Sequence, residues 1–492
     1  MIDLNERIVT PKMMQTMDQA LMTRKKMDEN SLTEEVGKRL YEAIIHDFGS
    51  EEIKWVCFSG PGNNGADALH LTRFLHLNGR DVTLYVLKKA KEEPIKMCEQ
   101  ANIQIHVLDD DNSAFTIPSE AIVIDGIFGS GLNRNLSPFF QSIIGTINKR
   151  AKQVIAIDLP SGIHGETGMK MPVAINAIKT YVIGLLKSGN LLFDAPDYHG
   201  EKQIIDIGFD QTDLPDGVWH RLQGEPRFIK RRKNTHKYDY GKAVFVGGEK
   251  HMPGAITMAA HAAMRSGLGV AKILMRQEDF DHYSPWIPEI ILGSFAGSDY
   301  EEHFKKTDAV CFGPGMDVDD TIYERMLDYL LNEKIPVVVD AGGLQHIPSL
   351  LKENEELPMI LTPHYGEFKR LLDKCDLHFD TLADCIRFFI SKKITLVLKG
   401  NATIIAGEER VFIVEGNNPG LATAGSGDVL AGMITSYLAQ GLSMQQSAIN
   451  AVLLHIRVGK YAKETYGETS MMATDLIKKI PFVFKRKEDK RK

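Results

Sequence analysis

Residues 417–433 read NNPGLATAGSGDVLAGM, with glycine at 420, 425, 427 and 432 and a single aspartate, Asp428. Apolar residues recur at helical spacing after Gly427, which predicts a helix opening near Ser426. Gly425, Ser426 and Gly427 would then present N–H groups at a helix N-terminus, where no preceding carbonyl satisfies them and the dipole favours an anion. A carboxylate beside such a hole can take a proton from a hydroxyl while the amides steady a phosphoryl group in transfer. The alternative is a first-turn carboxylate that serves only the helix dipole. The spacing is not that of the GxxxxGK[ST] phosphate loop.

A second group of candidates lies in the first half. FSGPGNNGADALHLTRFLHLNG (58–79) sets a glycine-rich turn between a strand and an amphipathic helix, a place where backbone amides favour a pyrophosphate. IDGIFGSGLNRNL (124–136) and IDLPSGIHGETG (157–168) are two further strand ends, each closing on an aspartate followed by small residues. Singly, such carboxylates are usually hydrogen-bonded turn formers. Three polar strand ends together point to a ligand site.

The elements that must position these residues follow from short β-branched runs alternating with helical patterns. Strands are expected at 53–58, 81–87, 102–108, 121–125, 154–158, 180–185 and 203–208, after a helical stretch over 11–48. A polar, basic, turn-rich segment over 211–240 interrupts the pattern, and a second series follows at 243–248, 269–275, 308–315, 335–343, 358–367, 394–400 and 410–416. Closing helices are expected over 426–440 and 444–463, and the terminal KRKEDKRK as a solvated, frayed end. Each series predicts a mostly parallel sheet covered by helices on both faces, with ligands beyond the carboxyl ends of the strands.

The 492 residues suit two or three domains, and a net charge of −7 argues against nucleic-acid or anionic-membrane binding. The five cysteines form no CxxC pair; Cys57 and Cys311 sit in apolar runs, as core thiols of a reducing compartment do. The start lacks the pattern of a signal peptide, and no apolar run approaches a membrane span. A cytoplasmic protein with no membrane partner is expected.

The second half resembles the ribokinase-like family of ADP- or ATP-dependent NAD(P)H-hydrate dehydratases. The matching segments, in order, are HKYDYGKAVFVGG, MPGAITMAAHAAMRSGLGVAKI, GPGM, VVVDAGGL, LTPHYGEFKRL, VLKGNATIIA and NNPGLATAGSGDVLAGM. The resemblance implies a hydrated nicotinamide nucleotide near Ala255, Gly315, His364 and Asp428, with the adenine nucleotide on Lys399, Gly400, Asn401, Ala402, Thr403 and Gly427. It implies phosphorylation of the carbon-6 hydroxyl, with Asp428 as base, and then elimination of phosphate, with magnesium accompanying the ADP. VVVDAGGL has Gly342 and Gly343 where the family usually alternates alanine and aspartate, leaving Asp340 as the one carboxylate of that loop.

The first half, over roughly residues 1–210, resembles the NAD(P)H-hydrate epimerases through GPGNNGAD, the Asp125 loop and DLPSG. This implies substrate binding by Asn63, Asn64, Gly65, Ala66 and Asp67, by Gly129, Ser130, Gly131, Leu132, Asn133, Arg134 and Asn135, and by Asp158, which would be the acid/base residue. Potassium would be held by Asn64, Asp125 and Ser161. Ala66 and Ala68 stand where the family usually has glycines; a left-handed backbone there would strain against the added methyl.

Together the resemblances imply a bifunctional lyase and isomerase of two domains: a Rossmann-like three-layer sandwich over 1–220 and a ribokinase-like three-layer sandwich over 225–492. They imply small-molecule substrates, a homo-oligomer, and the preference for ADP usual in fused prokaryotic forms. The competing expectation is a ribokinase-like kinase of a vitamin precursor or sugar carrying a non-catalytic nucleotide-binding module.

Overall fold

The computed structural model describes residues 6–49, 52–87, 90–110, 114–249, 251–280, 287–316, 321–353, 356–408 and 410–489. The chain divides into two compact units, one ending at Arg221 and the other beginning at Leu222. Much of the turn-rich stretch after Arg221 therefore belongs to the second unit.

The first unit comprises β1 (Arg7–Val9), α1 (Pro11–Lys25), α2 (Glu29–Phe48), β2 (Lys54–Ser59), α3 (Asn63–Leu77), β3 (Asp81–Leu87), α4 (Glu92–Gln100) and β4 (Ile105–Leu108). These are followed by β5 (Ile122–Gly126), α5 (Pro138–Arg150), β6 (Gln153–Ile157), β7 (Lys179–Ile183), β8 (Leu186–Lys187), β9 (Glu201–Ile205) and β10 (Trp219–Arg221). Local chemistry sets the early helices. Thr10 caps α1, accepting from the Met13 amide, with Pro11 at the first helical position, and Asp28 caps α2 by accepting from the Ser31 amide.

Seven strands form a parallel sheet in the order β4-β3-β2-β5-β6-β7-β9. Side chains alternate across it. Trp55 and Cys57 of β2 join the core packed by α1 and α2 through Met14, Leu21, Val36 and Leu40, while Val56 and Phe58 join Ile143, Ile144 and Ile147 of α5 on the other face. The chain leaves β2 for β3 in one direction and enters β5 for β6 in the other. The loops after β2 and β5 thus open a crevice where the winding reverses, the usual ligand position in open α/β sheets.

The second unit comprises β11 (Lys242–Val246), α6 (Pro253–Arg265), β12 (Val270–Arg276), α7 (Gln277–Phe280), β13 (Ile291–Phe295), α8 (Glu301–Phe304), β14 (Ala309–Phe312), α9 (Thr321–Asn332), β15 (Val337–Val339), α10 (Ile347–Glu353) and β16 (Met359–Leu361). It continues with α11 (Tyr365–Cys375), α12 (Leu382–Ser391), β17 (Thr395–Leu398), β18 (Ala402–Ala406), β19 (Val411–Glu415), α13 (Ser426–Ala439), α14 (Met444–Tyr466) and α15 (Ala473–Asp489). Its strands run β13-β12-β11-β14-β15-β16-β17-β18-β19, parallel as far as β17 and antiparallel thereafter. One face carries α6, α13, α14 and α15 over Val338, Ile360 and Val397. The other holds α9, whose Tyr323 ring packs 5.8 Å from Phe312. Both units are thus α/β with parallel sheets at their centre.

Several expectations are corrected. β13 and β18 are strands beyond those expected, and α15 continues to Asp489, with Leu476, Ile477, Ile480 and Val483 buried and Lys485 and Arg486 exposed. Residues 490–492 lie outside the described residues. No helix among the described residues is long and apolar enough to cross a membrane.

Candidate active sites

In the first unit, a cavity of about 500 Å³ opens at the crevice between β2 and β5. Asn63, Asn64, Asp67, Gly129, Ser130, Gly131, Leu132, Asn133, Arg134 and Asp158 line it; Gly65, Ala66 and Asn135 do not. Gly65 serves close packing instead, since a methyl there would lie 1.9 Å from the Gly60 carbonyl oxygen. Ala66 and Ala68 lie within α3 without left-handed backbone, so neither position demands glycine conformationally. The Ala68 methyl faces Gly126, where an added Cβ would meet it at 2.3 Å.

Asp158 ends the β6 segment in the left-handed region, with φ +64°. That strained turn brings its carboxylate to the cavity, where it accepts from the Ser130 amide (3.2 Å), the Ile183 amide (3.3 Å) and the Lys187 ammonium (2.5 Å). Lys187, 1% exposed, also donates to the Ile183 carbonyl, and the Asn190 side-chain amide donates to the Asp158 carbonyl. Asp67 and Asp18 line the same cavity. Burial, and then the charges of Asp158 and Asp18, push Asp67 well above the usual carboxylate range; Asp18 is pushed up to about 6, mainly by burial, with Lys187 opposing.

Beneath the cavity, Asp125 accepts from the Ser161 hydroxyl (2.6 Å), the Ser161 amide (2.7 Å) and the Ile127 amide (3.2 Å). Burial still pushes it up to about 6. Both side-chain polar atoms of Asn64 are buried without a hydrogen-bond partner among the described residues. An orphaned amide oxygen near a desolvated carboxylate and a serine hydroxyl is a donor set that suits a hard monovalent cation.

In the second unit, Gly425 (φ +88°) caps α13 and places Ser426, Gly427 and Asp428 in its first turn. The expectation of three free amides is corrected: the Ser426 amide donates to the Thr423 carbonyl at 3.2 Å. Helix geometry leaves Gly427 and Asp428 without intrahelical carbonyl partners. Close packing sets the helix, because a methyl at Gly432 would stand 2.0 Å from the Ala259 carbonyl oxygen of α6.

Lys399, at the end of β17, donates to Asp340 at 2.8 Å, and a methyl on Gly427 would stand 3.2 Å from its Nζ. Asp340, Glu367 and Asp428 all act on this one cation. Burial works against the Lys399 charge, but the three carboxylates together hold its pKa above the ordinary value. Asp428 is pushed up to about 7, first by burial and then by Asp340, with Lys399 opposing and Glu367 adding. Gly342 and Gly343, the departure noted in VVVDAGGL, are packing requirements: methyls there would lie 2.0 Å from the Met316 carbonyl oxygen and 2.8 Å from that of Phe312.

His364 caps α11, its Nδ1 accepting from the Gly366 amide (3.0 Å) and the Glu367 amide (3.3 Å), which assigns the proton to Nε2. An isolated β-bridge joins it to Lys399. Gly315 (φ +74°) abuts the Gly248 turn, and its carbonyl accepts from the Glu249 amide at 2.9 Å. Ala255 lies in the first turn of α6, and Gly400 and Asn401 form the exposed turn into β18, where Ala402 and Thr403 are buried.

Sequence reasoning missed Lys187, Asp18 and Glu367. Lys187 is the one charged residue in VIGLLKSGNLLF. Asp18 sits four residues after Met14 and beside Met17, on the buried side of α1.

Two α/β units, each with a buried carboxylate–lysine pair among glycine-rich strand ends, define a protein that handles nucleotides or related phosphorylated small molecules. Residues 243–482 match the family described as NAD(P)H-hydrate dehydratase, and residues 29–189 match that described as YjeF-related protein N-terminus. A bifunctional NAD(P)H-hydrate repair enzyme of Thermofilum pendens is 30% identical over 448 residues, 86% of each chain. The Coxiella burnetii enzyme of the same name is 31% identical over 471 residues, covering 92% of this chain and 94% of its own. A solved ADP/ATP-dependent NAD(P)H-hydrate dehydratase from Bacillus subtilis, co-crystallised with ATP and Mg2+, is 28% identical, covering 52% of this chain and 93% of its own with TM-score 0.44. This chain belongs to the family of bifunctional NAD(P)H-hydrate repair enzymes.

Proposed function

We propose that the second unit dehydrates the S form of hydrated NADH or NADPH using ADP, giving AMP and phosphate, and that the first unit interconverts the R and S forms. The observation that carries the dehydratase reading is Asp428. A carboxylate pushed up to about 7 in the first turn of α13, beside Lys399, is matched to accepting a hydroxyl proton near neutral pH. Asp428 takes the proton of the carbon-6 hydroxyl, and that oxygen attacks the terminal phosphorus as the bond to AMP breaks. The Lys399 ammonium and the α13 amides steady the phosphoryl oxygens. Phosphate then leaves carbon 6 with help from the ring-nitrogen lone pair, and loss of a carbon-5 proton restores the dihydronicotinamide. Ala255, Gly315 and His364 bind the substrate, and the segment from Lys399 to Thr403, with Gly427, binds the nucleotide.

Magnesium supplies charge neutralisation when bound. No group of three histidine, cysteine or acidic residues suited to a metal occurs among the described residues. In the first unit, Asn64, Asp125 and Ser161 would hold potassium, which supplies positive charge beneath the cavity. Asp158 acts there on the substrate's carbon-6 hydroxyl. All five cysteines are free and buried, in keeping with a cytoplasmic protein.

The test is chemically hydrated NADH given to the full-length protein with ADP or ATP, following dihydronicotinamide absorbance. Recovery that requires nucleotide, fastest with ADP, is expected. Accumulation of a stable phosphorylated product without recovery would turn the reading towards a kinase.

A further inference from the structure

The cavity of the first unit holds more acid/base chemistry than one aspartate. Lys187, Ser130 and Ile183 all donate to the Asp158 carboxylate, which presents its oxygens to the cavity as acceptors. Inverting carbon 6 of a cyclic N–C–OH centre by opening the ring at C6–N1 needs both functions, base and acid. The hydroxyl must lose a proton, and the ring nitrogen must gain one as its bond to carbon 6 breaks.

A second carboxyl reaches the cavity from a different element. Asp18, on α1, lines it with Pro11, Met14 and Gln15, and α1 lies outside the 29–189 segment that matches the family. The charged groups acting on Asp18 are Lys187, Asp158 and Glu29, and Asp67 shares the cavity. Asp67 is only 5% exposed, and burial raises its pKa well above the usual carboxylate range. Asp18 is half-buried, and among the described residues no hydrogen bond is made to its carboxyl.

We propose that Asp18 is the second acid/base residue of this cavity, protonating the ring nitrogen of the hydrated nicotinamide while Asp158 deprotonates its carbon-6 hydroxyl. The inference rests on the epimerase reading of the first unit. Asp158 takes the hydroxyl proton, the C6–N1 bond breaks with its electron pair going to nitrogen, and Asp18 delivers its proton there. The open chain carries an aldehyde at carbon 6. Rotation about C5–C6 exposes the other face; nitrogen attacks it, returning its proton to Asp18 as Asp158 returns the other to oxygen. Every bond and proton is restored, with only the configuration changed. Its position among like charges and its partial burial let Asp18 carry a proton up to about pH 6, so the forward rate should fall as pH rises beyond that point.

The test uses the full-length protein, pure R epimer and no ADP, with S epimer quantified chromatographically across pH. Wild type that fails to epimerise at any pH overturns the epimerase reading itself. Given active wild type, Asp18→Asn is expected to lower kcat about 10²–10⁴-fold with little change in KM and to erase the alkaline limb. Asp18→Glu is expected to restore part of the rate with that limb displaced. An Asp18→Asn protein within threefold of wild type, with its pH profile intact, overturns the proposal alone. Should Asp18→Asn show no cooperative melting, Asp18→Glu decides: a displaced limb supports the role, and an unmoved limb overturns it.

Discussion

Replacing Asp428 by asparagine should make the protein more stable in mildly alkaline solution while removing its dehydratase activity. Burial, Asp340 and Glu367 together raise Asp428 from 3.8 to about 7 in the folded state, despite Lys399. Below the unfolded pKa both states are protonated and the group costs nothing. Between the two values the folded protein keeps the proton that the unfolded chain has lost, so stability declines as pH rises; above about 7 the whole penalty is present. At about 1.4 kcal/mol for each pH unit, the interval corresponds to about 4 kcal/mol as an upper bound, reduced by local relaxation and water entry. Asparagine is neutral throughout. The stability difference between Asp428→Asn and wild type should therefore grow by about 1–4 kcal/mol from pH 4 to pH 8, in the variant's favour. Urea unfolding of the full-length protein across that range, followed on the transition that moves with the substitution, measures it. A difference that stays flat with pH would refute the claim that this carboxylate is desolvated and crowded by like charge.

Lys399→Met should leave Asp340 buried without its cation, costing about 3–5 kcal/mol in urea unfolding. It should also move the dehydratase pH profile to higher pH by withdrawing the positive charge that opposes the Asp428 shift. Gly65→Ala would set a methyl 1.9 Å from the Gly60 carbonyl oxygen, and the melting of the first unit should drop or vanish. Ala68→Gly should cost about 1 kcal/mol as a helix-interior glycine without raising the epimerisation rate. Asn64→Ala should weaken the dependence of epimerisation on potassium, read by titrating potassium chloride against choline chloride at constant ionic strength.

What the sequence could announce was local. The alternation of VVVD-type runs with amphipathic segments marks parallel strands, because buried strands need apolar side chains on both faces. The glycine-rich strand ends mark where chain and ligand approach. The pairings Lys187–Asp158 and Lys399–Asp340 join residues far apart in the chain, and nothing in either segment names its partner. Gly342 and Gly343 looked like departures from a pattern, and only the Met316 and Phe312 backbones explain them. Asp18 was hidden by its helix: an amphipathic pattern assigns a side to each residue but does not say that the side borders a cavity. The Ser426 amide was misjudged because the Thr423 carbonyl that takes it belongs to a loop of no regular period.

The measurement that bears most directly on the account is single-turnover repair of S-hydrated NADH by wild type and Asp428→Asn at saturating ADP, with ADP affinity determined alongside. The account predicts unchanged nucleotide binding and a chemical step slower by about 10²–10⁴ in the variant. Equal single-turnover rates would contradict it.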